Sequence, residues 1–113
     1  MELSMSEHGE VLVVTVDAKR LDAANAVNFR NTLVESEAKG AGTRVVIDLE
    51  KVELVDSSGL GALVSALKHI KRNRPAALCG LQKPVENLMK LTRMDRMFTI
   101  YADAKIAVAE SDE

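Results

Sequence analysis

The sequence predicts a single α/β domain with a mixed, mostly parallel β-sheet of about five strands and about four helices. Two features indicate this class. β-Branched apolar stretches alternate along the chain with stretches in which apolar residues recur at helical spacing. The stretch RVVIDL has a continuous apolar centre, which is typical of a parallel strand covered by helices on both faces. A length of 113 residues without a linker or repeat suits one domain over residues 1–113.

The elements are predicted in the order β-β-α-β-α-β-α-β-α. LSMSEH is a weak first strand, GE offers a turn, and VLVVTVD is a β-branched second strand. Asp22 is predicted to cap a helix that runs roughly from Ala23 to Ala38, with Phe29 and Leu33 facing inward. The stretch KGAG then ends this helix.

The second half of the chain continues the alternation. RVVIDL is a buried strand, and a helix begins near Ser58 and ends at NRP. One face of this helix is apolar at helical spacing and is predicted to face the core: Leu60, Leu63, Val64, Leu67 and Ile70. The opposite face is polar: Ser65, Lys68, His69 and Arg72.

AALCGL is predicted as a fourth core strand. Pro84 opens a third helix with Val85, Leu88 and Met89 facing inward. FTIY follows as a short strand, and DAKIAVAE as a last helix that Asp103 caps.

Composition excludes several classes of function. A net charge of -2 and a pI of about 5.7 give no electrostatic attraction to nucleic acid or to anionic membranes. The longest apolar run, VLVVTV, is too short for membrane insertion, and the acidic N-terminus lacks an apolar signal core, so we expect a cytoplasmic protein. One cysteine, Cys79, and two histidines assemble no zinc or iron–sulfur ligand set, so neither a metal nor another cofactor is predicted. We expect Cys79 to be buried as a small apolar residue.

The most informative segment is VDSSGLGALVSALK, in which Asp56, Ser57 and Ser58 stand between a strand and a helix. Free backbone N–H groups at a helix N-terminus favour negative charge, so a phosphate on Ser58 is compatible with this position. One of the three residues is expected to cap the helix, and capping alone is the simplest explanation for all of them. Gly59 and Gly61 each cost the helix roughly 0.5–1 kcal/mol against Ala, which suggests that other atoms approach this backbone closely.

The segment does not match the motifs of the enzyme classes that use a serine or a glycine-rich loop. The sequence lacks the G-x-S-x-G elbow, and His69 lies roughly 16 Å from Ser58 along one helix, beyond general-base reach. GLGALV lacks the third small residue of a dinucleotide fingerprint, and a P-loop ending is missing. No enzyme activity is therefore predicted. The basic cluster at the end of the helix complements the helix dipole and lacks aromatic stacking partners for nucleic acid: Lys68, Lys71, Arg72 and Arg74.

The stretch VIDLEKVELVDSSGLGALVSALKHIKR resembles the phosphorylation-site segment of STAS domains, in particular of the stand-alone bacterial anti-sigma factor antagonists. LDAANAVNFRNTL is similar to the start of their first helix, and LMKLTRMDRMFTIYADAKIAV to their ending. The resemblance spans nearly the whole chain, and its DSSGLG segment is the most specific part.

This resemblance implies a regulatory partner switch. The unphosphorylated protein would bind an anti-sigma factor that is also a serine kinase of the histidine-kinase-like ATPase type, and so free a sigma factor. Phosphorylation on Ser58, or alternatively Ser57, would end the binding, and a PP2C-type phosphatase would reset it. Ser57 would otherwise be the helix cap, and Asp56 would shape the site.

The surface expected to bind the partner comprises the segment before the first helix and one face of the second: Asp22, Asn25, Asp56, Ser57, Gly59, Leu60, Gly61, Ser65 and Lys68. The family also contains other kinds of module. The alternative is therefore a STAS subunit of a lipid-transport or stressosome complex, or a nucleotide-responsive sensor.

Overall fold

The computed structural model describes residues 2–110 and confirms the predicted α/β class. Within these residues seven strands and four α-helices occur. The strands are β1 (Leu3–His8), β2 (Val11–Val16), β3 (Arg20–Leu21), β4 (Arg44–Asp48), β5 (Leu54–Val55), β6 (Ala76–Cys79) and β7 (Ile100–Tyr101). The helices are α1 (Ala26–Lys39), α2 (Ser57–Ile70), α3 (Lys83–Leu91) and α4 (Ala104–Ala109).

Five of the strands form one mixed sheet in the order β1-β2-β4-β6-β7. β1 pairs antiparallel with β2 and lies at one edge, whereas the other neighbours pair in parallel. The helix-containing crossovers between parallel strands explain why α-helical and β-branched stretches alternate in the sequence. β3 and β5 pair in parallel as a separate, two-stranded sheet.

The two faces of the main sheet are covered unequally. Leu12 and Ile47 lie on the face that packs against α1, α2 and α3, in the larger of two apolar clusters. Val13 and Val46 lie on the opposite face, in a smaller cluster that includes Ala107 of α4. Alternate residues of one strand thus enter different clusters, which is why β2 and β4 are apolar at successive positions.

The first helix begins later than the sequence predicted. α1 starts at Ala26, and Asp22 is not its N-cap, because the Asp22 carboxylate accepts a hydrogen bond from the Ala24 amide in a local turn. Asn25 occupies the N-cap position without capping, because its side chain binds elsewhere. It donates to the carbonyl oxygen of Arg20 at 2.8 Å and accepts from the amide of Asp22 at 3.0 Å. The turn therefore ties the segment before α1 to β3.

The predicted core faces are correct at most positions, and a few of their residues are less fully buried than the others. Leu60 and Val64 of α2 are only half-buried, and the small residues Ala62 and Ala66 occupy buried positions in their place. Leu88 of α3 is likewise half-buried. The last strand is shorter than FTIY, since only Ile100–Tyr101 pair and a 3-10 turn, Met94–Arg96, precedes them. No helix within residues 2–110 is long and apolar enough to cross a membrane.

Candidate functional site

The Asp56-Ser57-Ser58 segment lies where β5 meets α2. The β3–β5 ladder carries this segment alongside the chain that leaves β2, and the Asp56 amide donates to the carbonyl oxygen of Leu21 at 3.0 Å. Each of these strands has two residues, and the ladder positions the start of α2 while Leu21 enters the main apolar cluster. The outcome is a helix N-terminus fixed beside the turn that precedes α1.

Asp56, and not Ser57, is the N-cap of α2. One carboxylate oxygen, Oδ1, accepts a hydrogen bond from the Gly59 amide at 2.8 Å. The other oxygen, Oδ2, accepts one from the Ala23 amide at 3.2 Å. Asp56 therefore satisfies one of the free N–H groups of α2 and at the same time ties α2 to the segment before α1.

Because Asp56 performs the capping, both serine hydroxyls remain available. Ser57 and Ser58 are exposed in the first turn of α2. Within residues 2–110 neither hydroxyl has a hydrogen-bond partner. A first-turn position also places any added negative charge beside the positive end of the helix dipole. The two serines are therefore accessible to a modifying enzyme, and a phosphate on either is electrostatically compatible with the helix.

The two glycines of α2 have different environments. A Cβ atom on Gly59 would stand 2.0 Å from the carbonyl oxygen of Leu21, so this glycine is required by the close approach of α2 to β3. The tight-packing explanation is therefore correct for Gly59. A Cβ atom on Gly61 would meet nothing within 4 Å, and this residue is exposed. Because Gly61 has no side chain, it leaves a shallow depression on the outer face of α2.

The structure brings most of the predicted partner surface together. Asp22 and Asn25 lie in the turn that the Ala23–Asp56 hydrogen bond attaches to the start of α2. Ser65 and Lys68 lie farther along α2, Ser65 half-buried and Lys68 exposed. Gly59 is the exception, because it is buried against Leu21 and is therefore not available to a partner.

Sequence reasoning missed two residues of this side. Arg30 of α1 reaches across to α2, where its Nε donates to the Ser65 hydroxyl at 3.0 Å. Leu54 is half-exposed and lines a groove of about 350 Å³ together with Asp22 and Asp56. An exposed leucine directly before DSSG is the signal that indicates an apolar contribution to this surface.

The chemistry available near the serines is limited. Among residues 2–110 no group of three or more potential metal ligands occurs. A larger groove of about 500 Å³ lies away from the serines and is lined in part by Asp17 and Lys51. These two residues pair at 2.8 Å, and the hydrogen bond from Lys51 holds the pKa of Asp17 below its usual value. The serine site itself offers accessible hydroxyls, a fixed carboxylate and an open surface.

Comparison with known proteins gives a consistent result. Residues 2–107 match the model of the STAS domain. The chain is 25% identical over 111 residues to the anti-sigma F factor antagonist of Paenibacillus polymyxa, covering 97% of this chain and 94% of the relative.

Two solved structures extend the comparison. A STAS domain protein of Planctomyces limnophilus, described as an anti-sigma-factor antagonist, superposes with a TM-score of 0.85 at 24% identity, over 98% of each chain. The Bacillus cell fate determinant SpoIIAA in its phosphorylated form superposes with a TM-score of 0.64 at 16% identity, over 96% of this chain and 98% of its own. At these identities the structural likeness shows the fold.

Proposed function

The chain belongs to the STAS domain family, and on that premise we propose that it is an anti-sigma factor antagonist controlled by phosphorylation of Ser58. The unphosphorylated form binds an anti-sigma factor that is also a serine kinase of the histidine-kinase-like ATPase type. This binding frees a sigma factor. Phosphorylation of Ser58 ends the binding, and a PP2C-type phosphatase restores it.

One observation carries this proposal. Ser58 is an exposed hydroxyl in the first turn of α2, and the neighbouring Asp56 already supplies the cap, so Ser58 has no structural task among the described residues. A kinase can therefore modify it without removing a stabilising interaction. Ser57 shares the exposure, and the resemblance of DSSG to the family motif is what favours Ser58, the residue before Gly59.

The physical consequence of phosphorylation is a local change of charge. A phosphoserine adds about -1.5 to -2 charges at neutral pH, directly beside the Asp56 carboxylate. A partner surface that accepts a small hydroxyl then faces a bulky, hydrated dianion. Binding would require the phosphate to lose its water, which is costly, so the partner dissociates. A penalty of about 3 kcal/mol lowers affinity by about two orders of magnitude, so no change of fold is needed to release the partner.

The named relatives support the proposal. The Paenibacillus polymyxa relative is an anti-sigma F factor antagonist, and the antagonist SpoIIAA has been solved in unphosphorylated and phosphorylated forms. Regulatory binding, without enzymatic activity of its own, is therefore the role we infer. The kinase and the phosphatase are the enzymes of the proposed switch.

The first test is to map phosphate in the protein purified from its own host, by peptide mass spectrometry with and without phosphatase treatment. We expect phosphate on Ser58 that treatment removes. Phosphate confined to Ser57 would reassign the switch residue. Absence of phosphate under all growth conditions would contradict the proposal and favour a constitutive STAS subunit or a nucleotide-responsive sensor.

The second test measures binding to each purified kinase of the histidine-kinase-like ATPase type from the same host, by calorimetry. We expect Ser58→Ala to bind as the unmodified protein does, and Ser58→Asp to bind at least about tenfold more weakly. Ser57→Asp is the matched control, since it places the same charge one residue away. Normal binding by Ser58→Asp together with loss of binding by Ser58→Ala would show that the proposed polarity is wrong.

A further inference from the structure

A third groove, here called the basic groove, runs between α1 and the outer face of α2. It has a volume of about 350 Å³. Its charged side chains are Arg30, Lys68 and Arg72, and His69 adds an imidazole. Within the described residues no acidic side chain lines it. A chain with a net charge of -2 thus concentrates three permanent positive charges along one groove.

These cations are not neutralised within the molecule. Among residues 2–110 the ion pairs lie elsewhere, and they join Lys51 to Asp17, Arg74 to Glu37, and both Lys83 and Lys90 to Glu86. Arg30 is held in place by uncharged partners, since its Nε donates to Ser65 and its Nη1 donates to Asn31. The basic groove therefore has a fixed arginine at its α1 side and unpaired cations at its α2 side.

The structure also separates two groups within the basic cluster at the end of α2. Arg74 turns away to pair with Glu37, and the Lys71 ammonium lies 5.5 Å from the centre of the Phe98 ring. Lys68 and Arg72 instead line the basic groove. Complementing the helix dipole accounts for a cation near the end of α2, but it does not account for Arg30, which belongs to a different helix.

The lining of the basic groove reaches Gly61, which lies about one helical turn from Ser58. Ser58, Gly61, Ser65 and Lys68 follow one another at spacings of three and four residues, so they share one face of α2, and Arg72 follows in the turn after the helix. At about 1.5 Å per residue, the stretch from Gly61 to Arg72 is roughly 16 Å long. Gly61 has open space above it and lies between Ser58 and the cations. A bound segment therefore passes from the cations over Gly61 toward Ser58 without meeting a side chain at Gly61.

We propose that the basic groove binds an acidic, extended segment of the protein partner whose binding Ser58 controls. Charge complementarity selects the occupant, and the length of the groove accommodates about five residues of extended chain. Nucleic acid fits less well, because no Phe, Tyr or Trp among the described residues lines the groove and the net charge of the protein is negative. This inference rests on the proposed function for the identity of the partner, but the binding of an acidic segment is testable by itself.

The arrangement also explains how phosphorylation acts on such a segment. A phosphate on Ser58 lies about 5 Å along the helix axis from Gly61 and about 15 Å from Lys68. It is therefore within one screening length of the end of the bound segment near Gly61, but too far from Lys68 to neutralise that cation. Phosphorylation of Ser58 adds repulsion at one end of the acidic segment. The cations of the groove stay available to bind the segment again once the phosphate is removed.

The test is a fluorescence anisotropy titration of the unphosphorylated protein with a labelled peptide of about eight residues that contains glutamate and alanine. Matched peptides with glutamine or lysine in place of glutamate are controls for charge. We expect binding of the acidic peptide alone, with affinity that falls as salt rises from about 50 to about 300 mM. The double variant Lys68→Glu with Arg72→Glu should weaken this binding about tenfold or more.

The control variant carries Lys19→Glu and Lys105→Glu, which make the same change in net charge at exposed lysines outside the groove. We expect it to bind the acidic peptide nearly as the unchanged protein does. Amide chemical-shift changes on titration, mapped on the unchanged protein, should be largest at Gly61, Ser65 and Lys68. This measurement needs no variant to fold.

Three results would overturn the proposal. These are equal loss of peptide binding in both double variants, shift changes away from α2, and tighter binding of a labelled oligouridylate than of the acidic peptide. None of them depends on phosphate at Ser58. The proposal about the groove can therefore be refuted while the proposed phosphorylation of Ser58 is upheld. Conversely, the groove can bind the peptide even if Ser58 is never phosphorylated.

Discussion

A single carboxylate, that of Asp56, joins two parts of the fold that are far apart in the sequence. Its two oxygens accept hydrogen bonds from Gly59 in α2 and from Ala23 before α1. A capping aspartate normally serves only its own helix. The second bond makes Asp56 a positioning residue for the surface that surrounds Ser58, because it holds both sides of that surface together.

We predict that Asp56→Ala lowers the free energy of unfolding by about 2 kcal/mol, through loss of a cap and of one further hydrogen bond. Asp103→Ala is the matched control, since Asp103 caps α4 and, among the described residues, its carboxylate accepts a hydrogen bond only from the Ile106 amide. That change should cost only about 1 kcal/mol. Urea denaturation of both variants measures the difference, and equal losses would show that the Ala23 bond contributes nothing.

The two glycines of α2 provide a second contrast at the scale of single residues. Gly59→Ala places a methyl group against the Leu21 carbonyl oxygen, and we expect a loss of about 2 kcal/mol or more in stability. Gly61→Ala meets open space in an exposed helix interior, so it should raise stability by about 0.5–1 kcal/mol. Thermal unfolding followed by circular dichroism distinguishes the two, and a stabilising Gly59→Ala would refute the packing argument.

At the scale of elements, the carbonyl groups at the C-terminal end of α1 receive hydrogen bonds from Arg74, a residue that follows α2 in the sequence. Its guanidinium donates to the carbonyl oxygens of Glu37, Gly40, Ala41 and Gly42, and its Nε pairs with the Glu37 carboxylate at 2.9 Å. The last carbonyl groups of a helix lack partners within the helix. Arg74 therefore satisfies the end of α1 and keeps Glu37, which is 4% exposed, from being a buried unpaired charge.

We expect Arg74→Ala to destabilise the protein by about 2–4 kcal/mol, because it leaves a buried carboxylate and several carbonyl groups without their donor. Arg74→Lys should recover only part of this loss, since an ammonium lacks the planar fork that serves several acceptors. Lys83→Ala is the control, because its pair with Glu86 is exposed to solvent and should contribute little to stability. Similar denaturation midpoints for Arg74→Ala and Lys83→Ala would contradict this account.

The elements also show which parts of the structure a sequence reveals. β2, β4, β6 and α2 were predictable because each carries its own apolar pattern over several consecutive residues. The β3–β5 ladder was not predictable, since a strand of two residues is too short to show an alternation of apolar and polar residues. The start of α1 was misplaced because an aspartate before a helix signals a cap and a turn equally well, and Asp22 forms the turn.

The candidate site divides in the same way. The position of Asp56, Ser57 and Ser58 between a strand and a helix followed from local sequence. The Ala23 bond and the contribution of Arg30 did not, because each depends on how α1 packs against α2. Contacts between residues more than thirty positions apart, such as Arg30 with Ser65, leave no local signal in a single sequence.

For the molecule as a whole, the unequal covering of the two sheet faces is the main structural asymmetry. α4, with six residues, is packed against the face that carries Cys79, whereas three longer helices pack on the opposite face. Cys79 is nonetheless fully buried, as predicted. Burial, together with the negative charge of Asp48 and a hydrogen bond to it, raises the pKa of the Cys79 thiol from 9.0 to about 12.

This thiol makes the stability of the fold depend on pH in the alkaline range. Below a pH of about 9 the thiol is protonated in the folded and unfolded states alike, so it confers no pH dependence. Between about 9 and 12 the unfolded chain loses a proton that the folded protein keeps, so stability falls as pH rises, by at most about 1.4 kcal/mol per pH unit.

Cys79→Ala lacks this ionisation. We therefore expect the difference in unfolding free energy between the unchanged protein and Cys79→Ala to be constant at neutral pH and to shift against the unchanged protein above a pH of about 9. Urea titrations at a series of pH values measure this, and comparison with the variant cancels the contribution of every other group that both proteins share. A difference that stays constant into the alkaline range would show that Cys79 ionises in the folded state as readily as in the unfolded chain.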